Sequence, residues 1–262
     1  MGELITDRYF GTWVSMLDVD VAQQFRAIQE RPLEPHSFTF YTSVSVMCSS
    51  RIEGEPLEVD SYVKHKLLNI EYLPELTEKP NDLYAAYLHA KDCRLSQAAF
   101  HDAHRLVAAH LLPVPQRGVL RSTDMLVMEH GTSRIQYEAA LRGIVSDEYA
   151  KLWQDIDRLL ATEMTIEQVF YHAAFIHMVF VNIHPFGDGN GRSGRLLEKW
   201  FLAEKLGEAA WYVQSELYYY HNVNNYYRGL NRLGMRYSEL DYAKSLPFLL
   251  MLPQSLVPAE TR

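Results

Sequence analysis

The 262-residue sequence is poor in cysteine and has no long apolar run. Its two cysteines, Cys48 and Cys93, are too few for a disulfide framework or a four-cysteine zinc site. The longest apolar stretch, residues 173–183, is interrupted by His177 and Asn182, whereas a membrane-spanning helix needs about 20 apolar residues. The first ten residues lack the apolar segment of a secretory signal. We therefore expect a cytoplasmic protein with reduced thiols and no membrane partner.

Positive charge is also scarce. The chain has 25 Lys and Arg against 33 Asp and Glu, which gives a formal net charge of −8. Binding to duplex DNA or RNA depends on clustered Lys and Arg that displace counterions from many phosphates, so this charge disfavours nucleic-acid partners. A site for a few phosphates needs only one or two arginines and free backbone N–H groups, and the composition is compatible with such a site.

Helical periodicity dominates what is present. Apolar residues recur at three- and four-residue spacing without strand–helix–strand alternation, so we predict an all-α fold. Residues 117–132 are the most strand-like part of the chain and predict a short β-hairpin. The predicted helices cover residues 21–29, 41–52, 59–71, 81–92, 96–112, 135–144, 147–160, 166–183, 190–206, 223–233 and 242–252.

The same patterns predict three parts of the chain. Residues 1–80 form an N-terminal helical extension, and residues 81–252 form a helical core domain with the C-terminal helices. Residues 253–262, which contain two prolines, form a flexible tail.

The most informative segment, residues 184–195 (HPFGDGNGRSGR), lies between the two strongest predicted helices. Its Gly, Asp and Asn residues are typical of a turn between helices. A turn does not explain Arg192 and Arg195, which lie on the first turn of a helix whose dipole is already positive there. With the backbone N–H groups of residues 189–192, the two guanidinium groups predict an anion site for a polyphosphate. No P-loop pattern is present, and Ser193 stands where an EF-hand needs Gly.

Two side chains in this segment are suited to chemistry. Asp188 can bind Mg²⁺ as a single carboxylate, with phosphates and water as the other ligands. His184 can accept a proton from an incoming hydroxyl. The other histidines that invite a metal interpretation fit no zinc-binding spacing, and no GxSxG nucleophile motif is present. These histidines are His101, His104, His110, His172 and His177.

Residues 184–195 resemble the signature of the Fic (filamentation induced by cAMP) family, HPFx(D/E)GNGRxxR, at every specified position. Fic proteins are helical, and most members with the full signature transfer AMP from ATP to a Ser, Thr or Tyr hydroxyl of a target protein. The resemblance covers mainly residues 95–235. It implies a Fic-type helical bundle with a short β-hairpin flap.

The resemblance also implies a role for each signature residue. His184 would be the general base, Phe186 would anchor the loop in the core, and Asp188 would ligate Mg²⁺. In-line attack on a phosphate requires such a base, a metal and positive charge at the leaving pyrophosphate. The phosphates would be bound by Gly189, Asn190 and Gly191 at the α- and β-positions, by Arg192 at the β-phosphate and leaving group, and by Arg195 at the γ-phosphate.

A shorter match lies upstream, where residues 49–54 (SSRIEG) fit the Fic inhibitory motif (S/T)xxxE(G/N). Its position resembles the subclass whose inhibitory helix is N-terminal in the same chain. Ser49 and Glu53 are four residues apart and share one helix face. The resemblance implies that Glu53 pairs with Arg195 in place of the γ-phosphate. The alternative is a solvated acid before a helix-ending glycine.

Two further segments have weaker patterns. Residues 117–135 resemble the flap with which Fic proteins hold a target segment by strand addition, and Arg121 and Thr123 lie near its start. A plain connecting hairpin is the alternative. In the helix after the signature, Asn224, Tyr226 and Tyr227 are candidates for an adenine pocket, with a place in the core as the alternative for the aromatic rings.

We therefore predict a Mg²⁺-dependent protein adenylyltransferase that uses ATP to modify a hydroxyl of a target protein and is inhibited by Glu53. Self-modification and a homodimer are compatible with this hypothesis. Alternatives within the family are AMP removal, in which Glu53 would position a water, and transfer of another phospho-group, which Gly191 and Arg192 disfavour. A catalytically silent interaction module is the alternative outside enzymes, and the presence of both His184 and Asp188 disfavours it.

Overall fold

The computed structural model describes residues 3–32, 34–128 and 135–257. The fold is all-α with one short antiparallel hairpin, in which β1 (Leu126–Met128) pairs with β2 (Ile135–Glu138). The helices are α1 (Phe10–Ser15), α2 (Val21–Gln29), α3 (Ser37–Ile52), α4 (Val59–Leu68), α5 (Pro74–Asp92), α6 (Gln97–Val107), α7 (Val145–Ala161), α8 (Ile166–Ile183), α9 (Asn190–Leu206), α10 (Ser215–His221), α11 (Val223–Asn231), α12 (Leu246–Leu249) and α13 (Met251–Gln254).

Helix α8 is the centre of the core. It begins with a capping box, in which the Thr165 hydroxyl accepts the Gln168 N–H at 3.3 Å and the Gln168 side chain accepts the Thr165 N–H at 2.9 Å. All residues from 169 to 183 are buried. By length and apolar composition α8 could also cross a membrane, but 83% of it is buried inside this fold. The helix is therefore the core helix around which the others pack.

Helix α9 packs directly against α8 and carries the second half of the signature. At Gly194 the two helices approach so closely that an added Cβ would lie 2.9 Å from Cγ1 of Val181. The first turn of α9 is therefore fixed relative to the C-terminal end of α8, and the loop between them is short.

The N-terminal residues pack onto the same core. The indole N–H of the buried Trp13 donates to the carbonyl of Leu249 at 3.1 Å. The backbone N–H groups of Leu4 and Ile5 donate to the carboxylate of Asp155 on α7, at 2.8 and 3.0 Å. Helix α3 is buried over most of its length and ends beside the first turn of α9. Near the other end of the chain Pro253 is buried, and residues 258–262 of the predicted tail lie outside the described residues.

Three predicted elements differ most from the structure. The predicted helix over residues 135–144 is wrong, because residues 135–138 pair with β1. The strands therefore cover residues 126–128 and 135–138 instead of lying within the predicted 117–132, and residues 129–134 lie outside the described part of the chain. Helix α5 begins earlier than predicted because Pro74 fits a first turn. The predicted helix 242–252 is divided into short helices with Pro247 at the start of α12.

Candidate active site

The active-site loop (residues 184–189) joins α8 to α9. His184 ends α8 with φ +53° and ψ +59°, a left-handed conformation that turns the chain out of the helix. The guanidinium of Arg121 donates to the last carbonyls of this end, at 2.7 Å to His184 and 3.1 Å to Ile183. Its backbone N–H donates to the carbonyl of Pro185 at 2.9 Å. Arg121 thus satisfies carbonyls that the end of α8 leaves without partners.

This position of Arg121 differs from the sequence-based interpretation. Arg121 was a candidate for holding a target segment, but its side chain is buried and donates only to backbone carbonyls among the described residues. Thr123 is exposed beside it. Arg121 therefore positions the loop and presents no surface to a partner.

His184 has one ring nitrogen engaged. Its Nδ1 lies 3.1 Å from the carbonyl oxygen of Val181, which requires a proton on Nδ1 and assigns the lone pair to Nε2. Burial lowers the pKa of His184 to about 4, partly offset by its hydrogen bond to Val181. At neutral pH the imidazole is therefore neutral, and its Nε2 can accept a proton.

Phe186 and Asn190 close the loop onto itself. The Phe186 ring has no exposed surface and stacks on the imidazole of His104, with ring centroids 3.7 Å apart. The amide of Asn190 accepts the Phe186 N–H and donates to the Phe186 carbonyl, both at 2.9 Å. The side chain of Asn190 therefore holds the loop, so only its backbone N–H remains as a candidate phosphate donor.

His104 on α6 is a positioning residue that the sequence did not reveal. Its Nε2 donates to the carbonyl of Asp188 at 2.9 Å, because its Nδ1 accepts the N–H of Gly118, also at 2.9 Å. Burial lowers the pKa of His104 to about 4, so the ring is neutral at neutral pH. His104 lies 84 residues before Asp188, and no local pattern relates the two positions.

The first turn of α9 follows Gly189, whose φ of +76° suits glycine. The N–H groups of the first residues of a helix have no partner within it, and the helix dipole makes this end positive. Asp188 lies just outside this turn, where its side chain is exposed and accepts the N–H of Gly189 at 2.6 Å. No group of three or more potential metal ligands occurs within the described ranges. Asp188 is therefore a single carboxylate, which suits a Mg²⁺ ion that also binds phosphates and water.

Arg195 is completely buried and has four hydrogen bonds. Its Nε donates to the Ser49 hydroxyl at 2.8 Å, and its Nη2 donates to the Ser49 carbonyl at 3.1 Å and to Oε1 of Glu53 at 2.6 Å. Its Nη1 donates to the Tyr226 hydroxyl at 3.2 Å. Ser49 and Glu53 thus both contact Arg195, and a Cβ added to Gly191 would collide with the Glu53 carboxylate.

Arg192 is also buried, but its partner is one that the sequence did not indicate. Its Nη2 donates to Oε1 of Glu55 at 3.0 Å, and Lys79 on α5 donates to the same oxygen at 2.9 Å. Glu55 and Arg192 are 137 residues apart. The only sequence signal was an acid two residues after Glu53, which is not specific.

One cavity adjoins the loop at His184, and a second shares Tyr227 with the first. The first has a volume of about 80 Å³ and is lined by His184, Arg195 and Glu53 together with Tyr226 and Tyr227. The second has a volume of about 430 Å³ and lies between the hairpin and α11. Its lining includes Tyr227, Asn224, Gln136 and Asn231. Small-molecule sites have volumes of roughly 300–1,000 Å³, so the second cavity has the size of a ligand site and the first does not.

The two tyrosines proposed for an adenine pocket have different surroundings. Tyr226 is buried, and its hydroxyl lies 3.2 Å from Nη1 of Arg195 and 3.0 Å from Nε2 of His177. Tyr227 lines both cavities. Tyr226 therefore holds the guanidinium of Arg195 through its hydroxyl. Tyr227 and Asn224, by contrast, can contact a ligand in the larger cavity.

Residues 94–202 match the Fic/DOC family. The chain therefore carries a Fic/DOC family domain, which includes α6 to most of α9 and the whole active-site loop. No curated protein matches the sequence.

Solved structures of Fic proteins have the same fold. A Fic family protein from Desulfovibrio desulfuricans G20 has a TM-score of 0.77 at 20% identity, over 98% of this chain and 75% of that one. A Fic domain containing signaling protein from Bacteroides thetaiotaomicron has a TM-score of 0.65 at 17% identity, over 90% and 91% of the two chains. Fic-1 from C. elegans has a TM-score of 0.63 at 18% identity, over 95% and 69%. These likenesses extend over the N-terminal helices as well as the Fic domain.

Proposed function

We propose that this protein is a protein adenylyltransferase, which transfers AMP from ATP to a hydroxyl group of a target protein. Membership of the Fic/DOC family supports a transferase in general. The observation that carries the finer proposal is the neutral imidazole of His184 beside a helix start with two buried arginines, Arg192 and Arg195. This arrangement suits an in-line attack at a nucleotide phosphate.

The proposed chemistry uses these residues as follows. Nε2 of His184 accepts the proton of the target hydroxyl while its oxygen forms a bond to the α-phosphorus of ATP. The bond between the α-phosphorus and the β-bridging oxygen breaks, and pyrophosphate leaves with its electron pair. Backbone N–H groups of residues 190–192 and the two guanidinium groups stabilise the negative charge that develops. Mg²⁺, held by Asp188 and the phosphates, would neutralise part of the phosphate charge when bound.

The larger cavity is our proposed site for the base. Gln136 and Asn231 line it, and their amide oxygens are buried with no hydrogen-bond partner among the described residues. Buried acceptors are usually paired, so these two suit the amino group of a bound base. The ring of Tyr227 provides an aromatic wall.

Glu53 is the proposed inhibitor. Its carboxylate pairs with Arg195, the group assigned to the γ-phosphate, and it lies against Gly191 at the helix start. The small volume of the cavity beside His184 supports this role. We propose that ATP binds productively once Glu53 has left Arg195.

The experiment uses ATP labelled at the α- or the γ-phosphate, with Mg²⁺ and candidate target proteins. The unchanged protein and the Glu53→Gly, Glu53→Gly/His184→Asn and Glu58→Gln variants are compared. We expect label from the α-position alone, strongest with Glu53→Gly and lost with His184→Asn. Glu58→Gln, which removes an exposed acid from the same loop, should behave like the unchanged protein. Transfer of the γ-label would contradict the proposal, and no label in any variant would favour an interaction module.

AMP removal is a second candidate because Glu53 and His184 line the same small cavity, where a water could lie between a carboxylate and an imidazole. This activity would require Glu53, so Glu53→Gly should abolish release of AMP from a modified target while increasing transfer. We expect either reaction in the cytoplasm, on a protein target or on the chain itself.

A further inference from the structure

The two arginines of α9 are neutralised to different extents. Arg195 forms an ion pair with Glu53 and uses four N–H groups on Glu53, Ser49 and Tyr226. Arg192 has one hydrogen bond, to Oε1 of Glu55, and its buried Nε has no partner among the described residues. The first arginine uses four of its five N–H donors, whereas the second uses one and still has donors for a ligand.

The two arginines also differ in the net charge of the groups around them. Glu55 accepts from both Arg192 and Lys79 through a single oxygen, so the three groups carry a net charge of +1. The pair of Glu53 and Arg195 carries none. A buried guanidinium with an unsatisfied N–H is costly, and an anion that accepts from it would remove the cost. Glu55 therefore holds Arg192 without cancelling the positive charge that attracts a phosphate.

Glu55 is fixed by the fold rather than by Arg192 alone. Its backbone N–H donates to the Ser50 carbonyl at 3.0 Å, just beyond the end of α3, and its side chain is only 8% exposed. Lys79 reaches it from α5. The carboxylate is thus held from two helices, whereas Glu53 is 24% exposed and lines the cavity beside His184.

We propose that Glu55, held by Lys79, is a positioning residue that orients Arg192 toward the β-phosphate of a bound nucleotide. This inference rests on the proposed function. It assigns opposite roles to two acids that are two residues apart: Glu53 occupies a phosphate-binding arginine, and Glu55 prepares the other one. A long side chain that is already ordered loses less conformational entropy when the ligand binds.

The test measures the dissociation constants of ATP, ADP and AMP, each with Mg²⁺, by calorimetry. The starting protein is the full chain with Glu53→Gly, to which Glu55→Gln is added. AMP has no β-phosphate and therefore does not contact Arg192 in this proposal. We expect ATP and ADP to bind about tenfold more weakly, as for the loss of one hydrogen bond to a charged group, with AMP binding unchanged.

Two variants keep the test independent of folding. Lys79→Met leaves the contact of Glu55 with Arg192 but removes the contact of Lys79 with Glu55. It should therefore weaken ATP binding less than Glu55→Gln does, and it should leave AMP binding unchanged. Lys79→Arg should restore ATP binding. Glu58→Gln is the matched control, because it removes an acid from the same loop that is 65% exposed.

The outcomes separate this inference from the proposed function. Tighter ATP binding with Glu55→Gln would make Glu55 a second inhibitory acid, and an equal loss for AMP would reduce it to a structural residue. Unchanged binding of all three nucleotides would also overturn the inference. If the Glu53→Gly protein binds ATP and AMP, any of these results contradicts the inference alone. If it binds neither, the proposed function fails and the inference fails with it.

Discussion

The active-site loop (residues 184–189) and the segment that covers the start of α9, residues 53–55, are held by different kinds of contact. The loop is fixed by buried groups: the Phe186 ring, the Asn190 amide and the carbonyl contacts of Arg121 and His104. At Glu53 the covering segment is held by a charged contact with Arg195 at the edge of a cavity. A phosphate can replace a carboxylate on a guanidinium, but no ligand can replace a buried ring. The difference indicates a fixed loop beside a contact, between Glu53 and Arg195, that an anion can displace.

The strongest test of the loop removes its proposed general base, His184, without changing the conformation of the loop. In the Glu53→Gly protein, His184→Asn should lower the rate of AMP transfer by about 10²–10⁴-fold, the usual contribution of a general base. Asparagine tolerates the left-handed backbone of this position, so the melting temperature should change by less than about 3 °C. His221→Asn, at an exposed histidine, is the control. A rate that falls only together with the melting temperature would mean that His184 is structural.

The loop should also behave as part of the core. Phe186→Ala removes a ring with no exposed surface and should lower the free energy of unfolding by about 3–5 kcal/mol in denaturant titrations. Phe40→Ala, at a ring that is 43% exposed, should cost much less. Equal losses for the two variants would contradict the description of the loop as an extension of the core.

Glu53 should exchange with nucleotide at Arg195. Glu53→Gly leaves Arg195 buried without its carboxylate, so the melting temperature should fall by several degrees. Mg²⁺ and ATP at about 100 times the dissociation constant should then stabilise the variant by about 2.7 kcal/mol. The unchanged protein should gain far less, because Glu53 competes for the same guanidinium. An equal gain in both proteins would show that Glu53 and ATP do not compete.

The smallest expected effect is the pH dependence of the loop. The pKa of His184 is lowered to about 4 by burial, so the imidazole of the folded protein is neutral at pH 6. The rate of transfer by the Glu53→Gly protein at pH 6 should therefore stay within about twofold of the rate at pH 8, whereas a pKa of about 6.5 would reduce it about fourfold. Half-maximal activity near pH 6.5 would contradict this assignment.

The same shift affects stability. The unfolded chain takes up protons on His184 and His104 below about pH 6.5, and the folded protein does so only near pH 4. His104 has the same lowered pKa for the same reason. Both residues therefore add stability above pH 6.5 that is lost as the pH falls toward 4. His104→Asn should make this loss less steep in urea titrations between pH 7 and 4.5.

Local signals predicted the elements that depend on local contacts. Helices α2, α8 and α9 have the predicted bounds because caps and glycines mark their ends. The segment 135–144 was predicted as a helix because its apolar residues have helical spacing, but pairing with β1 decided its conformation. The Fic/DOC domain was correctly predicted from the signature of residues 184–195, and the all-α class from the helical periodicity.

The sequence by itself determined the loop signature, the helical class and the pairing hypothesis for Glu53. Tertiary structure alone decided that Glu55 and Lys79 surround Arg192, that His104 and Arg121 hold the loop, and that Tyr226 lies under Arg195. The physical reason is distance along the chain. A cap or turn is specified by residues within one turn of each other, whereas a buried ion pair joins positions whose encounter depends on the packing of whole helices.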